Sequence, residues 1–343
     1  MVARMKVDFY LAPTSPLAAV PAAATRAARL GFDGFFTAET THDPFLPLVL
    51  ANRAAPDLHL GTAIAVAFPR SPTITAHIAW DLAALSGGKF ILGLGTQVKG
   101  HIVRRFGGEW LPPGPRMRDY LLALRAIFRA WQEGGSLSHD GEFYKLSLMT
   151  PFFNPGPIEH SDVPLAIAGV GPYMSRLAGE LCQGFHVHPF HTVRYLDEVV
   201  LPNIAKGAAR AGRDVDEVQR ITTVFVVTGR NQSEMEQAMG PVKSQIAFYA
   251  STPNYAGILE LHGWDFGEQL GAMSRRGQWA EMADLISDDV VQEVAVVASL
   301  EELGAAINAR YGNRVQRIGY YALEDTHGWT DEEWVGLITT TRQ

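Results

Sequence analysis

Eight short apolar runs, rich in β-branched and aromatic residues, recur along the chain, and each leads into a helical stretch. They are KVDFYLAP (6–13), DGFFTAE (33–39), HLGTAIAVAF (59–68), KFILGLGTQ (89–97), VPLAIAGVGP (163–172), GFHVHPF (184–190), RITTVFVVTG (220–229) and QRIGYYAL (316–323). The runs are continuously apolar rather than alternating, as parallel strands covered on both faces must be. Eight strand–helix units predict an α/β fold of the TIM (β/α)8 type rather than an open doubly wound sheet. No stretch rich in Pro, Gly or Ser divides the chain, so residues 1–343 read as a single domain.

Two gaps, 96–162 and 251–315, exceed a simple βα connection and predict insertions after strands four and seven. The first contains SHDGEFYKL (138–146), read as a small hairpin with Asp140 and Gly141 at its turn. Between strands three and four, Ser71 is the expected N-cap, Pro72 the first helical residue, and Gly87 and Gly88 the stop.

Composition excludes several function classes. Of the 343 residues 47% are hydrophobic and 19% charged, and the net charge is −7. General nucleic-acid or anionic-membrane binding needs an excess of Lys and Arg that is lacking. The single cysteine, Cys182, cannot form an intramolecular disulfide or an all-cysteine metal site. No run is apolar enough to span a bilayer, and the expected location is cytoplasmic.

A barrel of this kind builds its active site from the loops after the strands. After strand two stand Glu39, His42 and Asp43. Glu39 and His42 read as an acid/base pair; the alternative is that Asp43 or Thr41 caps the next helix and His42 is solvated. After strand four, Thr96 and Gln97 offer neutral hydrogen-bonding groups. Lys99, His101, Arg104 and Arg105 then form a basic run, fit for a phosphate or polyanionic tail, or simply solvated. After strand five, Gly169, Val170 and Gly171 open a helix whose free amides suit a phosphate, although the third glycine of a dinucleotide fingerprint is missing. His186, His188 and His191 crowd one stretch. A metal site there would need further ligands from other strands, whereas a core-facing His186 and a mouth-facing His188 need none.

Taken together, DGFFTAET, LGTAIAVAFPRSP, FILGLGTQ, PRMRDYLLALRAIF, DGEFYKL, AIAGVGP and GFHVHPF resemble the bacterial luciferase-like superfamily, in order and spacing along nearly the whole chain. The branch most similar is the oxidoreductases dependent on the deazaflavin coenzyme F420. AFYASTPNYAGILELHGW and SRRGQWAEMADLI resemble an actinobacterial-type subgroup of it.

The resemblance implies a barrel with insertions, a homodimer, and hydride transfer between F420 and a small organic substrate; composition leaves no nucleic-acid or membrane partner, and the aromatic-rich pocket loops suggest that the substrate is rather apolar. The resemblance also implies a non-prolyl cis peptide joining Ala63 and Ile64 in a bulge behind the coenzyme ring. Thr96 and Gln97 would bond the ring or ribityl chain, and Gly169, Val170 and Gly171 the phosphate. Lys99 and its neighbours would meet the glutamate tail that FMN lacks. Glu39 matches the family's acidic position; His42 stands two residues beyond the family's histidine. His188 would form a third wall of the pocket. Phe45, Phe68, Trp110, Phe152, Phe153, Phe190, Tyr249 and Trp264 are candidate apolar lining. An FMN-dependent luciferase-like monooxygenase and a metal-dependent barrel hydrolase are the alternatives.

Overall fold

In the computed structural model, which describes residues 4–321 and 328–343, the eight runs become eight strands: β1 (Lys6–Tyr10), β2 (Gly34–Thr37), β3 (His59–Thr62), β4 (Phe90–Gly95), β5 (Leu165–Gly169), β6 (Gly184–Val187), β7 (Gln219–Val224) and β8 (Arg317–Tyr320). All neighbours pair parallel, and β1 pairs with both β2 and β8, so the sheet closes into the predicted barrel. Each strand is shorter than its run because the residues past its C-terminal end turn into the mouth. Ala322 and Leu323, at the end of the last run, lie outside the described residues.

Helices cover the outside of the barrel. The helix Pro72–Leu85 starts as read: Ser71 Oγ accepts from the Ile74 amide at 3.3 Å, and Gly87 and Gly88 take positive φ beyond its end. The insertion after β4 contains the 21-residue helix Pro113–Glu133. The insertion after β7 is helical, beginning with Gln232–Ala250 under an Asn231 cap. Val226–Val227 pairs with Val296–Val297 and ties that second insertion to the barrel.

The hairpin forms, pairing His139–Asp140 with Lys145–Leu146, but its turn is not a two-residue Asp-Gly turn. Asp140 sits in the ladder opposite Lys145, and residues 141–144 make the loop. A buried carboxylate sets this shape. Asp119, on the long helix, accepts from the amides of Phe143 and Tyr144 at 2.6 and 2.9 Å and lies 2.7 Å from His139 Nε2. Gly141 is required because a Cβ there would stand 1.8 Å from Asp119 Oδ1.

The barrel interior is not uniformly apolar. Asp8 and Arg317 form a fully buried ion pair, Nε to Oδ2 at 2.8 Å, and Phe36 lies 5.4 Å from that guanidinium. His186 packs edge-on to Phe36, and Tyr10 stacks on Phe36 from the mouth side. Gly61 makes room for Phe36, whose Cε1 would lie 2.1 Å from a Cβ added there.

Candidate active site

Strand β3 ends at Thr62, and the next peptide bond, Ala63–Ile64, is cis. The chain rejoins β4 at Ala65 and Val66. From Gly61 to Ala65 it takes four residue steps where β4 takes three, a one-residue bulge at the mouth. The β2 loop grips this bulge from both ends. The Ala63 amide donates to Thr37 O at 2.7 Å, and the Glu39 amide to Ile64 O at 3.0 Å. The buried Glu39 carboxylate returns the grip: Oε2 accepts from the Val66 amide at 2.7 Å and from Arg70 Nη1 at 2.6 Å. Arg70 also donates to Val66 O and reaches Asp43 at 3.2 Å.

Asp43 Oδ1 accepts from the Phe45 and Leu46 amides, so this residue caps the helix Leu46–Ala54, one of the two readings open from sequence. His42 is exposed at the rim of a small cleft with Leu11, Pro13 and Ser15. No hydrogen bond joins it to Glu39 among the described residues. The carboxylate read as half of an acid/base pair is engaged in holding backbone.

The end of β4 faces the bulge: a Cβ on Gly95 would meet Ile64 Cδ1 at 2.6 Å. Thr96 and Gln97 follow, both half-buried. Gln97 adopts φ 57°, and its Oε1 accepts from the Val98 amide at 3.0 Å. Lys99 begins the short helix Lys99–Arg104 and is exposed. Arg105 does not extend the basic run into open solvent but turns back to donate to Thr40 O. After β5, Gly169–Gly171 lead into the helix Pro172–Leu181, which has no side-chain cap, and a Cβ on Gly171 would meet nothing. Tyr195 Oη pins this turn by donating to Val170 O at 2.7 Å.

The opposite wall is built around His188. Its Nδ1 accepts from the Phe190 amide at 3.1 Å, and its Nε2 lies 2.9 Å from Tyr255 Oη. Burial pushes the imidazole down to about 3, so the ring is neutral. With Nδ1 accepting, its one proton belongs on Nε2 and is donated to Tyr255, which leaves the Tyr255 O–H proton for another acceptor. Burial also pushes the Tyr255 hydroxyl up, and it stays protonated. Tyr249 packs edge-on to His188 at 4.6 Å, and its hydroxyl lies 2.6 Å from that of Tyr321.

The luciferase-like monooxygenase family profile matches residues 2–317. The chain belongs to that family. It is 43% identical over 316 residues, 92% of each chain, to an uncharacterized protein of Mycobacterium tuberculosis. It is 26% identical over 309 residues to the 5,10-methylenetetrahydromethanopterin reductase of Methanolobus tindarius, covering 89% of this chain and 90% of that one. The coenzyme F420 dependent tetrahydromethanopterin reductase of Methanopyrus kandleri has the same fold, with a TM-score of 0.79 at 20% identity, covering 99% and 98% of the two chains.

Within this family fold the three histidines part company. His186 is buried in the barrel with Nε2 against Gly93, and His191 donates from Nδ1–H to the His188 carbonyl at 2.7 Å. Among the described residues no three His, Cys, Asp or Glu side chains converge as metal ligands. Of the candidate aromatic lining, Phe190 and Tyr249 reach the His188 wall. Phe45 and Phe68 are buried beneath Arg70 and Arg116, Trp264 stacks on His262, and Phe152 and Phe153 face solvent. Tyr255 and Tyr321 were not singled out from sequence. Tyr321 directly follows β8 and was open to the barrel rule; Tyr255 lies within an insertion and carried no local signal.

Proposed function

We propose that the chain is an F420-dependent oxidoreductase that moves hydride between the deazaflavin and a small, largely apolar organic substrate. The observation that carries this reading is a mouth with three distinct walls: the Ala63–Ile64 bulge, the uncapped glycine turn at 169–171, and the aromatic wall of His188, Tyr249, Tyr255 and Tyr321. The reductase similarities point to the same coenzyme.

The residues present fit the group. The amides that open the Pro172–Leu181 helix lack a side-chain acceptor, and Gly171 leaves space where a side chain would stand, a donor set suited to a phosphate. Ala63 and Ile64 would back the ring, Thr96 and Gln97 would bond its polar edge, and Lys99 would lie towards the acidic tail. The bound coenzyme supplies hydride donation or acceptance at C5 of the deazaflavin. The chain positions and excludes water: Glu39 and Arg70 hold the bulge, and the tyrosines close the far side. Tyr255 Oη, oriented by His188 Nε2–H, is the group placed to hold or give a proton to substrate. His42 sits at the outer rim.

Paired titrations test this reading. Quenching of F420 fluorescence by the chain, weakened by Gly171→Asp, is expected. Tight FMN binding with no F420 quenching would replace it with the monooxygenase reading. For the proposed homodimer, the exposed Leu46, Val49 and Ile74 on neighbouring helices supply an apolar face; light scattering on Val49→Asp, expected to yield monomer, tests that face.

A further inference from the structure

The N-terminal end of a TIM barrel ordinarily serves stability rather than chemistry. Here it opens into a cavity of about 300 Å³, on the far side of the Asp8–Arg317 pair from the mouth. By volume that is room for about ten water-sized groups.

Its polar lining includes residues at the starts of four strands, Lys6 of β1, His59 of β3, Gln219 of β7 and Arg317 of β8, together with Gln183 and the Glu217 carboxylate. The charges do not balance locally. Arg317 spends Nε and Nη2 on Asp8. Asp33, the next carboxylate, is taken by Arg342 and by the Val7 amide. Glu217 at the rim is held by Arg213 at 3.1 Å. Lys89 is paired with Asp57 on the outside. Among the described residues Lys6 is left with no carboxylate within salt-bridge distance; its Nζ donates to Nε2 of the neutral His59 ring at 3.5 Å. The Gln219 side-chain amide, half-buried at the cavity wall, has no protein partner among the described residues. The exposed Gln183 uses its Oε1 on the Leu165 amide, and its NH2 group has no protein partner among the described residues.

We propose that this cavity is a binding site for a small organic carboxylate, held by Lys6 and His59 with the Gln219 and Gln183 amides. One cation outside any salt bridge among the described residues and a set of N–H donors call for a single negative charge with two acceptor oxygens, and the volume allows a carbon skeleton of a few atoms. Electrostatics agree with the geometry. Burial, then Arg317, lowers the Lys6 ammonium from its ordinary value, and burial, then Arg317, Lys6 and Lys89, pushes His59 down to about 4. Asp8 and Asp33 pull the other way at Lys6, and Asp33 at His59, without offsetting burial, and a bound carboxylate adds a counter-charge in contact with both. This site is independent of the coenzyme reading and stands whether the mouth takes F420 or FMN.

The test is NMR titration of the full chain with acetate and butyrate at constant ionic strength held by chloride. The reporter is the His59 Cε1–H resonance, assigned by its loss in His59→Gln. The expected result is a saturable shift of that resonance, with a rise of the His59 pKa above about 4. Lys6→Met weakens binding at least tenfold. Gln219→Leu, which removes a donor without touching a charge, weakens it severalfold and serves if Lys6→Met fails to fold. Absence of a saturable shift at His59, equal affinity in both variants and the parent, or tighter binding of inorganic phosphate than of either carboxylate would overturn the proposal. Anion uptake at the glycine turn of the mouth leaves His59 unmoved and so is not mistaken for it.

Discussion

Replacing Glu39 by Gln separates two roles that the sequence left joined. In the structure Oε2 carries two hydrogen bonds, one from the Val66 amide and one from Arg70, and the side chain is nearly enclosed. Glutamine keeps an acceptor for Val66 but loses the ionic bond, which is worth about 1.5–3 kcal/mol for a hydrogen bond to a charged group. Arg70→Met removes the other partner and leaves a buried carboxylate with one amide, costing about 3 kcal/mol, the low end for a broken buried pair. With an unfolding entropy of about 2.1 cal/mol/K per residue, a chain of this length loses about 1.4 °C in Tm per kcal/mol. Both variants are therefore expected to melt about 2–4 °C lower, and the double variant less than additively, with a coupling of about 1.5–3 kcal/mol. Because the pair holds the bulge, both should weaken F420 binding by a similar factor, about tenfold or 1.4 kcal/mol, with kcat at saturating coenzyme changed only a few-fold. Differential scanning fluorimetry, fluorescence titration and steady-state turnover measure the three quantities. If Glu39→Gln instead lowers kcat by about 10²–10⁴ while Arg70→Met spares it, Glu39 is the acid or base and the clamp argument is wrong.

Tyr255→Phe removes the hydroxyl that accepts from His188; kcat should fall about tenfold to a hundredfold with coenzyme affinity preserved and Tm lowered by about 1–4 °C, since the His188 Nε2–H loses its acceptor, and unchanged turnover would remove Tyr255 from the proton path. Burial pushes the enclosed His186 down to about 3 and His191 to about 4, so the unfolded chain binds protons first as pH falls below about 6.5. Stability should thus be full above that pH and be lost on acidification; His188 and His59 are held down in the same way, so the four together account for up to about 5 kcal/mol between pH 7.5 and 5.5. Urea midpoints against pH check it, and His186→Gln should flatten about a quarter of the histidine part of the slope. A Cβ on Gly93 would stand 1.9 Å from Thr62 O and 2.6 Å from His186 Nε2. Gly93→Ala should therefore cost about 3 kcal/mol or more, above the usual range for overpacking because backbone must move, measured by chemical denaturation; a loss below about 1 kcal/mol would show that β3 and β4 separate easily.

The barrel was legible because burial on both faces forces a uniform hydrophobic run, and eight such runs admit few architectures. What the runs could not mark was where each strand stops. In 59–68 the strand ends at Thr62, yet Ala63–Phe68 remain as apolar as before, since a bulge packed into a mouth needs the same residues as a strand. The hairpin turn failed for another reason: Asp119, some twenty residues upstream, captures the Phe143 and Tyr144 amides and overrides the local preference of Asp140–Gly141. The cis peptide at Ala63–Ile64 came from family resemblance alone, for nothing in GTAIAVAF distinguishes that bond locally.

The site shows the same division between local and long-range causes. Glu39 reads as chemistry in one dimension because its partner, Arg70, is 31 residues away and on a different loop. Asp8 and Arg317 are 309 residues apart and become partners only when β1 closes against β8. That closure places a buried ion pair, with Phe36 over it, across the barrel axis. The pair explains why one barrel can carry two separate openings: an aromatic mouth above it, and below it a cavity in which Lys6 makes no salt bridge among the described residues. Neither opening is visible in the β1 run KVDFYLAP read alone, although that run contributes a residue to each, Tyr10 upward and Lys6 downward, with Asp8 between them.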